Sequence, residues 1–397
     1  MPDPHPHPLG LPALAYADRC VQLGVRGGRV GALDRYARLY REGRPDPLLP
    51  PLCAPVTRRH ASESGEGTVL KFTQTVRRTL TSSAVSAIDG SGGLLAVLGA
   101  APAVDTVEIE SVLIPMIGKK RGRSYTLCVS SQVGCAMGCT FCQTAQMGLI
   151  RSLSTEEIVG QWFAARHIIE RPDPDAEIRN IVFMGMGEPM DNLDAVMGAI
   201  EVFTDRRGPG LAMSKITVST VGRTDGIARL AQRIPDPGWH RLGLAISLNA
   251  PTDEIRSRIM PVNRAMPLAQ LRAQLEAWPI FGGAHMCVEY VLIPGVNDQP
   301  EHVEQLAAFM QGSAYGGPAQ PRYPGPPLQG LVNLIPYNPR DASPWPAPTE
   351  ESVEAFMAAL SATRVYVKRR RTKGRDQMAA CGQLGNPQTR RTRSVPV

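Results

Sequence analysis

At 397 residues and 43% hydrophobic content, the chain is long enough for one large domain plus a small one with a sizeable core. Its apolar runs are strand-sized, the stretch 287–294 being broken by Glu289, and the start Met-Pro-Asp-Pro-His-Pro-His-Pro has neither a basic region nor an apolar core. Neither a membrane span nor a secretory signal is therefore expected, and a cytoplasmic location is. Eight cysteines are too sparse for a disulfide-stapled scaffold, and the net charge of +7 is unevenly placed.

Residues 1–105 carry the weakest signals. A Pro-rich start gives way to 13–23 and 31–44, of mixed helical periodicity with several arginines, then to Pro-rich 44–55. The Thr-, Ser- and Val-rich stretch 69–87 fits strand or helix. From Val107 the pattern becomes regular. Strands are expected over 107–115 and 125–129, and the alternation of the first equally describes an edge strand with Glu108 and Glu110 facing solvent.

Next come Cys135, Cys139 and Cys142, close enough in sequence for one short loop to turn three thiolates toward one centre. A structural zinc site takes four protein ligands, usually as two separated pairs. A set of three leaves a position open, although three buried cysteines or a zinc loop would use the same residues.

A Ser154-Thr-Glu-Glu157 capping box then opens a helix with Ile158, Trp162, Ala165 and Ile169 on one face. Strands 180–184, 215–220, 242–248, 286–292 and 331–335 alternate with helices 193–203, 226–232, 253–260 with 268–278, 301–310 and 350–360, and a strand over 363–367 closes the series. Repeated strand–helix units imply a parallel sheet with helices outside. The Pro/Gly-rich stretches 311–330 and 340–348 read as surface loops. Arg364, Lys368, Arg369, Arg370, Arg371, Lys373 and Arg375, followed by Arg390, Arg391 and Arg393, form a basic cluster able to neutralise phosphates, or simply a solvated tail. Cys20, Cys53 and Cys287 have no constellation around them and read as small apolar residues.

The Cys135-x-x-x-Cys139-x-x-Cys142 spacing resembles the signature of radical S-adenosylmethionine enzymes. With Cys128 ahead of it and Ala-Cys-Gly-Gln-Leu-Gly around Cys381, the chain is similar over 107–385 to the RNA methyltransferases that act on adenine C2 of 23S rRNA and tRNA, relatives of the adenine-C8 enzymes. The resemblance implies a partial (β/α)6 barrel, with an accessory and potentially RNA-binding region at 1–105, a core at 106–385 and a disordered basic tail at 386–397. It implies a monomer whose three thiolates hold a 4Fe–4S cluster, with S-adenosylmethionine on the fourth iron and an electron donor such as flavodoxin or ferredoxin.

In barrel enzymes the active groups gather at the C-terminal ends of parallel strands. Gly185-Met-Gly-Glu-Pro189 follows a strand, its glycines allowing close approach to a ligand. Its likeness to the family segment gives Gly187 and Glu188 the amino group of S-adenosylmethionine. Ser219, Ser247, Leu248, Asn249 and Asn338 match positions of its ribose, adenine or methionine contacts, Asn249 standing where a histidine is common. Ser and Asn there also suit helix capping. By the same resemblance Cys381 accepts a methyl group, a 5′-deoxyadenosyl radical takes a hydrogen atom from it, and the methylene radical adds to the base. Cys128 then resolves the adduct by a disulfide with Cys381, and Glu110 accepts a proton. Adenine C8, or a basic RNA- or ribosome-binding protein without catalysis, are the other readings.

Overall fold

The structure is a computed structural model that describes residues 6–44, 53–79, 105–118, 122–282, 286–317, 323–340, 342–370, 374 and 378–386. Two helices come first, α1 (Ala13–Gln22) and α2 (Gly28–Glu42), then a hairpin of β1 (Val56–Ser64) and β2 (Gly67–Arg77). The helices bury an aromatic row: Tyr16 meets Tyr36, Tyr36 meets Tyr40, and Tyr40 meets Trp162 at ring-centre distances of 5.6, 4.8 and 5.9 Å. Such tilted pairs add stabilisation beyond area alone. The 69–87 stretch thus resolves as strand through Arg77, while 80–87 lies outside the described residues.

The main sheet continues through β3 (Thr106–Ile117) and β4 (Arg123–Cys128). A small antiparallel pair, β5 (Gln132–Gly134) and β6 (Leu149–Ser152), brackets the cysteine loop and the short helix α3 (Gln143–Gln146). Then come α4 (Thr155–Phe163), β7 (Glu177–Phe183), α5 (Leu193–Thr204), β8 (Ile216–Thr220), α6 (Thr224–Ala231) and β9 (Gly243–Ser247). Helices α7 (Asp253–Ile259) and α8 (Leu268–Glu276), strand β10 (Met286–Leu292), helix α9 (Pro300–Gln311), strand β11 (Gly330–Pro336), helix α10 (Glu350–Ala362) and strand β12 (Val367–Arg369) complete the series.

The ten-stranded sheet runs β1-β2-β3-β4-β7-β8-β9-β10-β11-β12. Pairing is antiparallel from β1 to β4 and parallel from β4 to β12. Six strand–helix units from β4 to α10 make the expected α/β partial barrel, open because β1 and β12 do not pair. The Ser154 capping box is present, with Ser154 Oγ accepting from Glu157 N and the Glu157 carboxylate accepting from Ser154 N.

Three expectations are corrected. β3 is not an edge strand, since β2 pairs along its other side, and Glu110 does not face solvent freely, since Lys71 and Gly385 contact its carboxylate. The last strand falls at Val367–Arg369 because Thr363 and Arg364 finish α10 in a turn, with Arg364 at φ +67° donating its N–H to Ser361 O. The 311–330 stretch is more than surface loop, since Tyr315, Tyr323 and Leu328 are buried and Tyr323 packs edge-on against Phe309 at 5.2 Å. Among the described residues no helix is long and apolar enough to cross a membrane.

Candidate active site

Cys135, Cys139, Cys142, Gly187, Glu188, Ser219, Ser247, Asn249, Asn338 and Cys381 line one cavity. Phe183, Ser219, Ser247, Glu289 and Ile335 come from five successive parallel strands, so the sheet wraps around this space. Of the expected site residues, Leu248, Cys128 and Glu110 do not line it. Leu248 is fully buried in the core, with its backbone N–H donating to Glu289 O.

The cysteine loop is pinned from several sides. Gly134 lies at φ +75°, where an added Cβ would run into Gly148 O at 1.9 Å, so only glycine lets β5 and β6 close. Thr140 N donates to Ile259 O (2.9 Å), and Arg340 Nε donates to Thr140 O (2.9 Å). Burial pushes the thiols of Cys135 and Cys139 well up; three soft thiol donors around one cavity are nonetheless the set that a soft metal centre takes, displacing their protons as it binds. Among the described residues no three His, Cys, Asp or Glu side chains form a ready set for a single ion.

Glu188 is 2% exposed. Its two oxygens accept from Met190 N (3.0 Å) and Val221 N (2.9 Å), while its own N–H donates to Gln132 Oε1 (2.9 Å). Burial outweighs these bonds and pushes the carboxyl up to about 7. The glycines of this turn line the cavity and also pack tightly on the chain beside them. A Cβ at Gly185 would meet Val129 O at 2.7 Å, and one at Gly187 would meet Gln132 Cβ at 2.5 Å, so the close approach they permit is to the chain after β4.

Asn249 has φ +58°, a region asparagine tolerates better than most residues. Its Oδ1 accepts from Val291 N (3.0 Å) and its carbonyl accepts from Asn297 Nδ2 (2.7 Å), so the residue braces the end of β9 against β10. Ser219 Oγ donates to Glu289 Oε2 at 3.2 Å. Arg256, absent from the sequence reading, is fully buried and donates to the carbonyls of Leu248 (3.0 Å), Ser247 (3.3 Å) and Val221 and to Asn263 Oδ1 (2.8 Å). It closes backbone groups that the ends of β8 and β9 leave open.

A second cavity of about 560 Å³ lies beside the first and is lined by Cys128, Cys287, Glu289, Arg370 and Cys381. That volume falls within the roughly 300–1,000 Å³ of small-molecule sites. Cys381 therefore belongs to both cavities, although it and Cys128 stand far apart in sequence. Burial pushes the Cys128 thiol up to about 12, with Cys381 adding to the rise and Arg370 opposing it. Burial also raises the Cys381 thiol, and Arg370 pulls against it. Cys287, read from sequence as an isolated apolar residue, shares this cavity.

The basic cluster is divided. Arg369 forms an ion pair with Glu350, while Arg370 Nη1 lies 3.4 Å from Glu289 Oε1 and 3.4 Å from Met184 Sδ. These two arginines are held by the fold, whereas Arg364 and Lys368 are exposed. Arg371, Lys373, Arg375, Arg390, Arg391 and Arg393 lie outside the described residues. Glu110 lines neither cavity; it pairs with Lys71 at 3.3 Å and accepts from Gly385 N at 2.8 Å.

The family model described as "Radical SAM superfamily" matches residues 129–310. The probable dual-specificity RNA methyltransferase RlmN 1 of Protochlamydia amoebophila is 42% identical over 289 residues, spanning 72% of each chain. The dual-specificity RNA methyltransferase RlmN of Geotalea uraniireducens is 42% identical over 276 residues, 70% of this chain and 71% of that one. The crystal structure of a radical SAM methyltransferase from Sphaerobacter thermophilus superposes with a TM-score of 0.72 at 32% identity, covering 95% of this chain and 98% of that one. Together with a cysteine-lined cavity at the strand ends, these likenesses place the chain in the RlmN family of radical S-adenosylmethionine RNA methyltransferases, whose cofactors are a 4Fe–4S cluster and S-adenosylmethionine.

Proposed function

We propose that this enzyme methylates C2 of an adenine in 23S rRNA and in tRNA, with Cys381 carrying the methyl group. The observation that carries the reading is that Cys381 lines both the cavity of the three-cysteine loop and the cavity of Cys128. Adenine C2 lies between two ring nitrogens and is too electron-poor to attack a sulfonium methyl directly. A thiolate can. Two substrates agree with relatives called dual-specificity RNA methyltransferases. The catalytic unit is 106–385, working as a monomer in the reducing cytoplasm that such thiolates need.

Cys135, Cys139 and Cys142 would hold the cluster. All three line one cavity wall, and three soft thiol donors with a position left open are the donor set such a cluster would take. Gly187 and Glu188 would receive the amino group of S-adenosylmethionine, and Ser219, Ser247, Asn249 and Asn338 its remaining polar groups, while Leu248 would contribute through the backbone alone. When bound, and supplied with an electron by a donor such as flavodoxin or ferredoxin, these cofactors provide the radical that removes hydrogen from the methylated Cys381. Cys381 Sγ first gives up its proton and takes the methyl, with S-adenosylhomocysteine leaving. Once carbon has joined the base, the C2 hydrogen leaves as a proton and one electron passes back to the bound cofactors. The Cys128 thiolate then attacks Cys381 Sγ, and the Cys381 S–C bond breaks with its pair on the methylene carbon. That carbon takes up a proton to give the product methyl, and an external dithiol reopens the Cys128–Cys381 disulfide. Glu110 is the proton acceptor, a role for which its bonds to Lys71 and Gly385 must first open.

Glu188 gives the binding step a pH dependence. A carboxyl raised to about 7 is fully ionised only above that pH, and only the ionised form attracts an ammonium group. On cluster-loaded protein, S-adenosylmethionine should bind roughly tenfold more weakly at pH 6 than at pH 8, since one pKa unit below the midpoint leaves about a tenth of the carboxylates charged. Calorimetry of Glu188→Gln should show weaker binding with that slope gone. Incubation of the reduced holoenzyme with 23S rRNA and tRNA fragments, followed by mass mapping of the modified nucleoside, should yield 2-methyladenosine from both. An 8-methyl product, or none, would overturn the assignment.

A further inference from the structure

We propose that Lys71 is a positioning residue that, with Glu110, clamps both ends of the Cys381 segment; the inference rests on the reading of Cys381 as the methyl carrier. Lys71 sits in mid-β2 between Leu70 and Phe72, and its side chain is only 9% exposed. Nζ donates to Met378 O at 3.2 Å and pairs with Glu110 Oε1 at 3.3 Å. The other carboxylate oxygen, Oε2, accepts from Gly385 N at 2.8 Å. One ion pair thus grips the segment three residues before Cys381 and four residues after it.

What lies between the grips has little rigidity of its own. Residues 378–386 form neither helix nor strand, and Met378, Gly382 and Gly385 have φ of +50°, +82° and +111°. Arg370 adds a charge beside Cys381, and the hydrogen bonds that hold the segment elsewhere are neutral ones, among them Ala379 N to Gly374 O (2.9 Å), Gln143 N to Gly382 O (2.7 Å), Thr144 Oγ1 to Leu384 O (2.6 Å) and Gln383 Nε2 to Pro339 O (2.9 Å). Hydrogen bonds with a charged partner are the stronger ones, and they are strongest away from water. Because a single carboxylate serves both ends, losing the ammonium loosens Met378 directly and Gly385 through Glu110. The lysine lies far from the cysteine motifs in sequence, on the hairpin that precedes residue 106. The segment's anchorage therefore depends on that hairpin as well as on the barrel.

Hydrogen exchange on the cluster-loaded full chain, with and without the charge, tests this. Lys71→Gln should speed exchange in the peptide covering 378–386 roughly tenfold, leave α1 unchanged, and lower kcat for methylation without altering the affinity for S-adenosylmethionine. Lys71→Met, which keeps the packed stem, should do the same, and Lys71→Arg, which keeps charge and donors, should restore both rates. Unchanged exchange at 378–386 in both neutral variants, or acceleration shared equally by α1, would overturn the clamp. Exchange requires neither RNA nor turnover, so its failure would leave the methylation reading standing, and a failed methylation assay would leave the clamp standing.

Discussion

Cys381→Ala should bind iron, sulfide and S-adenosylmethionine as the wild type does and transfer no methyl group to RNA. Cys381 is not one of the three thiols of the loop, and alanine keeps the backbone of 378–386 in place. Gly382 still accepts from Gln143 N, and Gln383 still bonds Pro339 O. What vanishes is the one atom able to take a methyl and face both cavities. No nearby thiol substitutes well. Cys128 is buried and pushed up to about 12, so little of it is thiolate at neutral pH, and it lines only the second cavity. The loss should therefore be complete, roughly 10⁴-fold or more, the scale seen when a nucleophile is removed outright. Iron and sulfide analysis beside methyl incorporation checks it. Residual methylation within tenfold of wild type would refute the carrier role, and loss of iron together with activity would move Cys381 into the cluster ligand set.

Much of this was legible in the sequence because the parallel units obey local rules. Strand β10 occupies 286–292 as its apolar run predicts, and the Ser154–Glu157 box marks a helix start to the residue. The cysteine loop shows in its spacing, and the Gly-Glu-Pro turn and the Ser and Asn residues in their places at strand ends together with the family resemblance. What escaped depends on contacts distant in sequence. β1 exposes Arg58, Arg59 and His60 and has no alternation to betray it; only pairing with β2 makes it a strand. Lys71 carries no motif, and the alternation around Glu110 also fits a solvent-facing edge; it is their pairing and the 378–386 segment lying over them that single both out. Arg370 was hidden in a run of like charges, whose signal is collective, whereas its contacts with Glu289 and Met184 are individual.

Cys128→Ala should leave the first methyl transfer intact and arrest the enzyme while bonded to its RNA. Cys128 ends β4, with Val112 on one side and Val182 on the other, and is 5% exposed. Replacing a small buried thiol there by a methyl costs about 1 kcal/mol of stability, too little to unfold a chain of this size. The Cys381 thiol still lines the cavity of the three-cysteine loop, so it should still be methylated and still reach the base. Release is different, because it needs a second sulfur to close a disulfide with Cys381. Disulfide geometry requires Cβ atoms about 4 Å apart, and Cys128 is the thiol that shares a cavity wall with Cys381 at the end of the strand nearest the cysteine loop. Cys287 shares that cavity too, but it sits at the second position of β10, near the strand's opposite end, in register with Ala245 and Leu331. The variant should accumulate an RNA–protein species on denaturing gels that nuclease collapses to the protein plus one nucleotide fragment, at a level near one per active chain. Full turnover by Cys128→Ala would remove it from the reaction; turnover abolished only on adding Cys287→Ala would transfer the resolving role to that neighbour.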